Sequence, residues 1–187
     1  MNSTYKLNIA GIERELQLCS LNDNLKIAAF VILGDVELTS ACAAALIKKL
    51  PEHDMMITAE AKGIPLIHEM ARQMNVKHYL VARKSQKLYM TEPISVEVQS
   101  ITTSRKQVLY IDKNGAEMLK GKRVVIIDDV ISTGESVFAV EKLVKMSGGT
   151  VVGKAAILAE GDAKYRDDII YLEHLPLFNS DGIIIGE

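Results

Sequence analysis

The chain has 187 residues, of which 48% are hydrophobic and 25% are charged, with a formal net charge of −2 at pH 7. This length fits a single domain with a sizeable core, and the composition is that of an ordinary soluble globular protein. The slightly acidic balance excludes a global positive field for nucleic acid or anionic membranes, and no apolar stretch is long enough to span a bilayer.

The first third of the chain predicts an antiparallel hairpin, a strand and a helix. Residues 5–9 and 12–18 alternate apolar and polar positions around a central Ala-Gly pair, which is typical of two paired strands. Residues 27–33 predict a buried strand. Asp35 then precedes a run of small residues that ends before Pro51, so we expect Asp35 to cap a helix.

The middle of the chain predicts a strand, a loop and a helix, followed by a long arm. Residues 55–58 and 79–82 predict strands, and the 60–63 loop and a helix of residues 64–74 lie between them. Residues 83–106 begin with the basic residues Arg83, Lys84 and Lys87, and their later alternation predicts a hairpin completed by residues 108–111. Long segments of this kind inside a compact domain are usually functional or disordered, and we interpret this one as a mobile arm.

The clearest local pattern lies around residues 124–146. An apolar run at 124–127 leads into Asp128 and Asp129, then into the 132–136 loop and an amphipathic helix that ends near Met146. A Gly-Gly pair ends this helix, and residues 151–158 return as a strand. Repeated strand–loop–helix units predict an α/β fold, in which a mostly parallel central sheet is flanked by helices.

The end of this apolar strand carries the residue types that bind a phosphorylated sugar. A wholly apolar strand belongs in the middle of a parallel sheet, and ligands bind at its carboxyl end. Backbone amides, hydroxyls and the helix N-terminus of the 132–136 loop can surround one phosphate, and Gly134 permits a close approach. Asp128 and Asp129 would repel that phosphate, so sugar hydroxyls or a hydrated Mg²⁺ are their natural partners. One aspartate at a strand end is commonplace, but the tandem pair before a Ser-Thr-Gly turn favours a ribose 5-phosphate site.

Residues 124–136 resemble the signature that binds phosphoribosyl pyrophosphate (PRPP) in the type I phosphoribosyltransferases, and the chain is similar to the adenine and xanthine enzymes of that family. The shared pattern is an apolar strand, two acidic residues, two apolar residues and a Thr-Gly phosphate loop. The resemblance implies a single domain over residues 1–187 with a core at about 25–160. It also implies a small hood, built from the N-terminal hairpin and the C-terminal tail, and a flexible β-arm at about 83–106.

The resemblance further implies a role for each candidate site residue. Asp128 and Asp129 are the expected catalytic residues, and Mg²⁺ is expected near them through PRPP and water, without direct ligation by the protein. The expected PRPP-binding residues form three groups: Glu60, Ala61, Lys62 and Gly63; Arg83, Lys84 and Lys87; and Ser132, Thr133, Gly134, Glu135 and Ser136. Glu160 follows the next strand and is a candidate for contact with the base. The carboxylate of Glu135 must point away from the bound anion.

The implied reaction transfers the 5-phosphoribosyl group of PRPP to a purine base and releases pyrophosphate. Adenine is the favoured acceptor; xanthine and hypoxanthine–guanine are alternatives, and orotate fits less well because the 60–63 loop resembles that of the purine enzymes. An alternative of another class is a regulator of the same fold that senses PRPP without catalysis. It would need a basic face or an added DNA-binding element, and neither is visible in the sequence.

The remaining sequence features favour a cytoplasmic enzyme without membrane or nucleic-acid partners. The two cysteines, Cys19 and Cys42, have no short pairing motif, which favours reduced thiols over a disulfide scaffold. The first residues carry one lysine and no long apolar run, so they do not resemble a signal peptide. The four histidines show no metal-ligand spacing. The family resemblance implies a homodimer with Mg²⁺ as the cofactor.

Overall fold

The computed structural model describes residues 4–99 and 106–186, which form an α/β fold of two five-stranded sheets and one hairpin. The strands are β1 (Thr4–Ile9), β2 (Ile12–Ser20), β3 (Leu25–Ala28), β4 (Met55–Ala59), β5 (Leu80–Ala82), β6 (Ile94–Gln99), β7 (Lys106–Ile111), β8 (Arg123–Ile131), β9 (Thr150–Glu160), β10 (Ile170–Leu175), β11 (Leu177–Asn179) and β12 (Ile184–Ile185). The helices are α1 (Val36–Ile47), α2 (Gly63–Gln73), α3 (Lys113–Leu119) and α4 (Glu135–Met146), and a 3₁₀ turn spans Gly161–Tyr165.

The central sheet has the strand order β10-β9-β8-β4-β5, and every pairing in it is parallel. The apolar strand β8 lies at its centre, as its sequence predicts, because both faces of this strand are covered. Val125 and Ile127 pack into a core cluster with α1 and α2, whereas Val124 and Ile126 pack into a second cluster with α4. The predicted parallel sheet with helices on both faces is therefore confirmed.

The second sheet is the hood, with strand order β1-β2-β3-β11-β12 and antiparallel pairings. The predicted N-terminal hairpin is confirmed, with Ile9 opposite Ile12 at its turn. The strand predicted for residues 27–33 is partly wrong, because β3 ends at Ala28 and the chain then leaves the sheet. Phe30 and Ile32 are still buried, so the apolar pattern of residues 29–33 reflects packing in the core and not strand pairing.

The predicted arm contains the hairpin β6–β7, which is antiparallel with Ile94 opposite Ile111. The tip of the arm, residues 100–105, lies outside the described residues. Val96 and Leu109 are buried in the same core cluster as α4, and an isolated bridge joins Arg83 to Tyr110. The base of the arm is therefore packed on the α4 side of the central sheet, and mobility of the arm stays a prediction.

Helix boundaries follow recognisable end signals. Asp35 caps α1 by accepting a hydrogen bond from the backbone N–H of Leu38, as predicted. Asp112 caps α3 in the same way through the N–H of Gly115, although the sequence analysis had assigned no helix there. Among the described residues, no helix combines the length and apolar character needed to cross a bilayer.

Candidate functional site

The candidate site lies where the carboxyl ends of three neighbouring strands meet. β4, β8 and β9 are adjacent and parallel, so the segments that follow them emerge at the same edge of the sheet. The 60–63 loop follows β4, and Glu160 is the last residue of β9. Asp128 and Asp129 lie near the carboxyl end of β8, which continues to Ile131 before the 132–136 loop. This edge is where open α/β sheets bind ligands.

The 132–136 loop encloses a hollow of about 110 Å³, lined by Asp128 and residues 130–137. Ser132 and Thr133 are exposed at its mouth, and α4 begins immediately behind it. Gly134 adopts a left-handed conformation with φ of 81°, which favours glycine and turns the backbone into the helix. A helix N-terminus with exposed hydroxyls around a small hollow is suited to bind one phosphate group.

Arg166 packs against this loop from the side and was not identified from the sequence. A Cβ built on Gly134 would lie 2.3 Å from Nη1 of Arg166, so no larger residue fits without moving the arginine. Arg166 follows the 3₁₀ turn after β9, about thirty positions from Gly134. No local pattern marks such a contact, because it depends on how two distant loops pack.

The 60–63 loop has its own reason for glycine. Gly63 starts α2, and a Cβ on it would lie 2.2 Å from Oγ1 of the buried Thr58. Pro65 in the first turn of α2 costs no backbone hydrogen bond, because the first N–H groups of a helix have no partner within it. Ala61 and Lys62 are exposed, and the peptide bond between Glu60 and Ala61 is cis.

Lys62 connects the 60–63 loop to the acidic pair. Its Nζ lies 2.7 Å from Oδ2 of Asp129, whose side chain is only 5% exposed, whereas the side chain of Lys62 is 45% exposed. This oxygen is buried and accepts no hydrogen bond within the described part of the chain, so the contact with Lys62 is an ion pair without hydrogen-bond geometry. The positive charge beside the largely buried Asp129 carboxylate thus comes from Lys62, a residue of the 60–63 loop that is expected to bind an anion.

The side chain of Asp128 is more exposed than that of Asp129, but its pKa is unusually high for an aspartate. Oδ1 of Asp128 accepts a hydrogen bond of 2.9 Å from the backbone N–H of Asp129. Burial, and after it the nearby charge of Asp129, raises the pKa of Asp128 from 3.8 to about 7. Two neighbouring carboxylates with little access to water therefore favour a bound cation or a hydroxyl-bearing ligand.

The other basic candidates, Arg83 and Lys84, are held by Glu60. Nη2 of Arg83 lies 3.2 Å from Oε1 of Glu60, and the backbone N–H of Lys84 donates to Oε2 at 2.9 Å. The Lys84 N–H and then the Arg83 guanidinium lower the pKa of Glu60. Arg83 also donates to the hydroxyl of Tyr89 at 2.6 Å, while Lys87 donates to Ser85 within the same loop. The structure thus joins the 60–63 loop to the base of the arm and turns the Lys87 ammonium towards Ser85.

A larger recess of about 370 Å³ lies beside the hollow and shares Val130 and Ser132 with it. Its other lining residues are Ile27, Ala28, Ala29, Phe30, Lys62, Glu160 and Leu175. Burial raises the pKa of Glu160, as does the charge of Asp129, whereas Lys62 lowers it. Glu160 and Lys62 were predicted from the sequence as site residues, whereas Phe30 and Leu175 carry no local pattern that marks them. A mostly apolar recess with one carboxyl group is suited to a flat, partly polar ligand.

The described residues contain no group of three or more histidine, cysteine or acidic side chains arranged to hold a metal ion. Asp128 and Asp129 are the two carboxylates that β8 places at the ligand-binding edge. Two carboxylates leave most of an octahedral shell to water or ligand oxygens, which is a common arrangement for Mg²⁺.

Comparison with known proteins gives one consistent family. Residues 36–181 match the family model described as "Phosphoribosyl transferase domain". The chain is similar to the hypoxanthine/guanine phosphoribosyltransferase of Methanococcus voltae, with 38% identity over 113 residues, covering 60% of this chain and 56% of that protein. It is also similar to the protein of the same name from Methanococcus vannielii, with 33% identity over 72% of this chain and 69% of that protein. The matched part thus spans little more than half the length of the first of these relatives.

Solved structures give a second set of names. The chain is similar to the adenine phosphoribosyltransferase of Thermoanaerobacter pseudethanolicus, with a TM-score of 0.64 and 28% identity, covering 76% of this chain and 84% of that one. The adenine phosphoribosyltransferase of Rhodothermus marinus has a TM-score of 0.65 at 22% identity, covering 83% and 92% of the two chains, and supports the fold alone.

Proposed function

Because the chain belongs to the phosphoribosyltransferase family, we propose that it transfers the 5-phosphoribosyl group of PRPP to a purine base and releases pyrophosphate. The observation that carries this proposal is the convergence of two anion-binding loops and an acidic pair at one edge of the sheet. Each loop begins a helix, and the carboxylates lie between them at the end of β8. A sugar with phosphates at both ends matches this arrangement of two anion-binding loops and an acidic pair, and few other ligands do.

In the proposed complex the 5-phosphate occupies the hollow of the 132–136 loop. Supporting this, Ser132 and Thr133 are exposed at the hollow, and the N-terminus of α4 supplies backbone N–H groups and partial positive charge. The hollow of about 110 Å³ is large enough for one phosphate group but too small for a nucleotide. Anchoring at this end leaves the ribose ring over Asp128.

The pyrophosphate of PRPP is assigned to the 60–63 loop. Exposed amides at Ala61 and Lys62, the start of α2 and the ammonium of Lys62 all lie in this loop. Arg83 and Lys84 add positive charge at the base of the arm, where Glu60 pairs with the Arg83 guanidinium and accepts a hydrogen bond from the backbone N–H of Lys84. As pyrophosphate leaves C1′, its charge increases, and these groups stabilise that charge in place.

Asp128 and Asp129 are assigned to the sugar and its developing positive charge. The base nitrogen attacks C1′ as the bond to pyrophosphate breaks, so the sugar acquires oxocarbenium character and its configuration inverts. Carboxylates within the site favour such a cation electrostatically, while hydrogen bonds to the ribose hydroxyls orient the ring. The main contributions of the protein are thus orientation and charge stabilisation.

Mg²⁺ fits this arrangement as a companion of PRPP. The carboxylates of Asp128 and Asp129 are the donor type that Mg²⁺ prefers, and their number leaves room for water and phosphate oxygens. When bound, Mg²⁺ would neutralise part of the negative charge of the pyrophosphate. We assign it to water and PRPP near the acidic pair rather than to a cage of protein ligands.

The base is assigned to the recess lined by Phe30, Val130, Leu175 and Glu160. Adenine is the first candidate, because a carboxylate at Glu160 accepts hydrogen bonds and the amino group of adenine donates them. Hypoxanthine or guanine is the second candidate, favoured by the names of the archaeal relatives and by the N1–H donor of these bases. The recess adjoins the hollow through Val130 and Ser132, so the ring nitrogen at one edge of the base would point towards the sugar over β8.

A pyrophosphate-release screen tests the proposal. Purified protein is incubated with PRPP, Mg²⁺ and, separately, adenine, hypoxanthine, guanine, xanthine and orotate, with product nucleotides identified by chromatography. Release that requires a purine supports the proposal, and the most rapidly used base sets the specificity. PRPP binding without turnover of any base would favour a PRPP-sensing regulator, and a gel-shift assay at defined salt would then test nucleic-acid binding.

We extend the proposal to the oligomeric state, the location and the domain organisation of the protein. Val31 and Leu33 on the connection between the hood and α1, and Val36 at the start of α1, are 51–79% exposed, which supports a homodimer formed through this surface. The free cysteines Cys19 and Cys42 support a cytoplasmic location. Light scattering coupled to size exclusion tests the dimer, and a single cooperative unfolding transition tests the single domain over residues 1–187.

A further inference from the structure

We propose that Arg166 is a positioning residue for the 132–136 loop, which holds Gly134 in its left-handed conformation and places a positive charge beside the 5-phosphate. This inference rests on the function proposed above and deepens it at one end of the substrate. Arg166 does not line the hollow itself. It acts through the loop, by packing against Gly134.

The contact with Gly134 is close enough to restrain the loop. A Cβ on Gly134 would lie 2.3 Å from Nη1 and 3.4 Å from Cζ of Arg166, so the guanidinium occupies the space that a side chain would need. Gly134 is also the N-cap residue of α4, with φ of 81° and ψ of 10°. A glycine is otherwise free to leave this conformation, and a group packed against its Cα reduces that freedom.

Arg166 is itself held in place by Asp168, which in turn binds Lys154. Nε and Nη2 of Arg166 donate to the two carboxylate oxygens of Asp168 at 2.8 and 2.9 Å. Asp168 also accepts from Lys154 at 3.0 Å, and Lys154 contacts Glu141 of α4 at 2.8 Å. The guanidinium of Arg166 and then Lys154 hold the pKa of Asp168 well below its usual range, so the carboxylate stays ionised. This network fixes Arg166 to the helix that the 132–136 loop begins.

The orientation of the guanidinium directs its positive side to the loop. The Nε–Nη2 edge of an arginine faces away from Nη1, and here that edge binds Asp168 while Nη1 meets Gly134. The ion pair is therefore polarised, with its cationic end beside the phosphate-binding loop. The Coulomb attraction between such a charge and a nearby anion, only partly screened by water, changes anion affinity by about 5- to 30-fold.

The experiment compares direct binding of two probes that use opposite ends of the site. Isothermal titration measures ribose 5-phosphate, which carries only the 5-phosphate, and inorganic pyrophosphate with Mg²⁺. The variants are Arg166→Gln and Arg166→Lys. The matched control is Arg123→Gln, because Arg123 binds Asp54 through the same Nε–Nη2 edge at the opposite end of β8.

We expect Arg166→Gln to weaken ribose 5-phosphate binding by roughly 5- to 30-fold, with pyrophosphate affinity unchanged and Arg166→Lys intermediate. Arg123→Gln should alter neither affinity. Wild-type affinity for ribose 5-phosphate in Arg166→Gln, or equal loss of both ligands, would overturn the inference. If Arg166→Gln does not fold, the comparison is made with Arg166→Lys and Asp168→Asn, which keep a positive charge at 166 but lose the bidentate contact; both should bind ribose 5-phosphate more weakly than the wild type and pyrophosphate equally well. Failure of the wild type to bind either probe would instead reject the proposed function.

Discussion

The ammonium group of Lys62 lies 2.7 Å from Oδ2 of Asp129, and that oxygen is buried. The pair links the 60–63 loop to the acidic end of β8, so two of the three candidate ligand segments share one ion pair. A cation intended for a pyrophosphate is therefore already compensated by a carboxylate of the protein. Binding of the substrate must exchange or share this partner, which makes the pair a direct target for mutation.

Lys62→Met should destabilise the protein by leaving the buried carboxylate of Asp129 unpaired. Because Lys62 is partly exposed, we expect a loss of about 1–2 kcal/mol in the free energy of unfolding, below the value for a fully buried pair. Adding Asp129→Asn to this variant should recover most of the loss, since the uncompensated charge is then gone. Urea unfolding of the two single variants and the double variant measures this, and a double variant less stable than Lys62→Met alone would contradict it.

Asp128 predicts a specific dependence of stability on pH. Its pKa is raised to about 7 in the folded protein, so the folded state binds this proton more tightly than the unfolded chain does. The resulting stabilisation is complete below about pH 4 and is lost as the pH rises through about 7. Asp128→Asn removes this dependence, so its melting temperature relative to wild type should rise between about pH 5 and pH 8. Asp23→Asn, on an exposed hood turn, is the control, and a parallel change in both variants would refute the assignment.

Turnover should also depend on the titration of Asp128, but it should increase with pH where stability decreases. The proposed role of Asp128 requires its ionised form, because a neutral acid neither stabilises a cationic sugar nor attracts Mg²⁺. The value of kcat/KM for PRPP should therefore fall as the pH decreases below about 7. Asp128→Asn should have a turnover lower by roughly two to four orders of magnitude, and its residual activity should lack this acid limb.

Gly63 predicts a pair of compensating substitutions. Gly63→Ala places a Cβ 2.2 Å from Oγ1 of Thr58, so the 60–63 loop must shift. We expect this variant to lose about 1–3 kcal/mol of stability and to bind pyrophosphate weakly. In Thr58→Ala/Gly63→Ala the nearest remaining atoms, the carbonyl oxygen of Ile127 and the Cβ at position 58, are at 3.4 Å, and binding should recover. Equal pyrophosphate affinity in the single and double variants would show that crowding is not the cause.

Glu60 predicts a loss of affinity through the base of the arm. Glu60→Gln weakens the contact with Arg83 and leaves the side chain of that arginine less ordered near the proposed pyrophosphate site. The KM for PRPP should increase by roughly 3- to 10-fold. Glu69→Gln is the control, because Glu69 binds Arg72 on α2 outside the candidate site. A lower KM in Glu60→Gln would mean that Glu60 competes with pyrophosphate for Arg83.

Glu160 predicts a change in base preference. A carboxylate only accepts hydrogen bonds, whereas a glutamine amide both accepts and donates, so Glu160→Gln should improve 6-oxopurines relative to adenine. We expect the ratio of kcat/KM for adenine to that for hypoxanthine to fall about tenfold, with the KM for PRPP unchanged. An unchanged ratio would remove Glu160 from the base site.

The fold was largely accessible from local patterns in the sequence. The alternation of the N-terminal hairpin and the four apolar residues at 124–127 identify a surface strand pair and a central strand, because each pattern reflects how many faces of the strand are buried. The strand predicted through Leu33 failed beyond Ala28 because burial and strand pairing give the same apolar signal. Helix α3 was missed because its Asn-Gly pair is typical of a turn.

The candidate site was predictable only where its residues are contiguous. The 132–136 loop, the acidic pair and the 60–63 loop each combine in one short segment the groups that an anion or a sugar needs. Arg166 and Phe30 reach the site from other parts of the chain, and their contacts depend on packing between distant elements. The ion pair between Lys62 and Asp129 joins two predicted segments, but the sequence carried no indication that they would neutralise each other.

The strand order of the central sheet also fixes the direction of the proposed chemistry. β9 carries the carboxyl group assigned to the base, β8 the groups assigned to the sugar, and β4 the loop assigned to the leaving pyrophosphate. Adjacent strands are about 4.8 Å apart, so incoming nucleophile, reacting carbon and departing group would lie along the hydrogen-bonding direction of the ladder. The spacing of the paired strands would then set the distances along the line of the proposed displacement. Changes at the β9 end can alter the acceptor without altering this spacing.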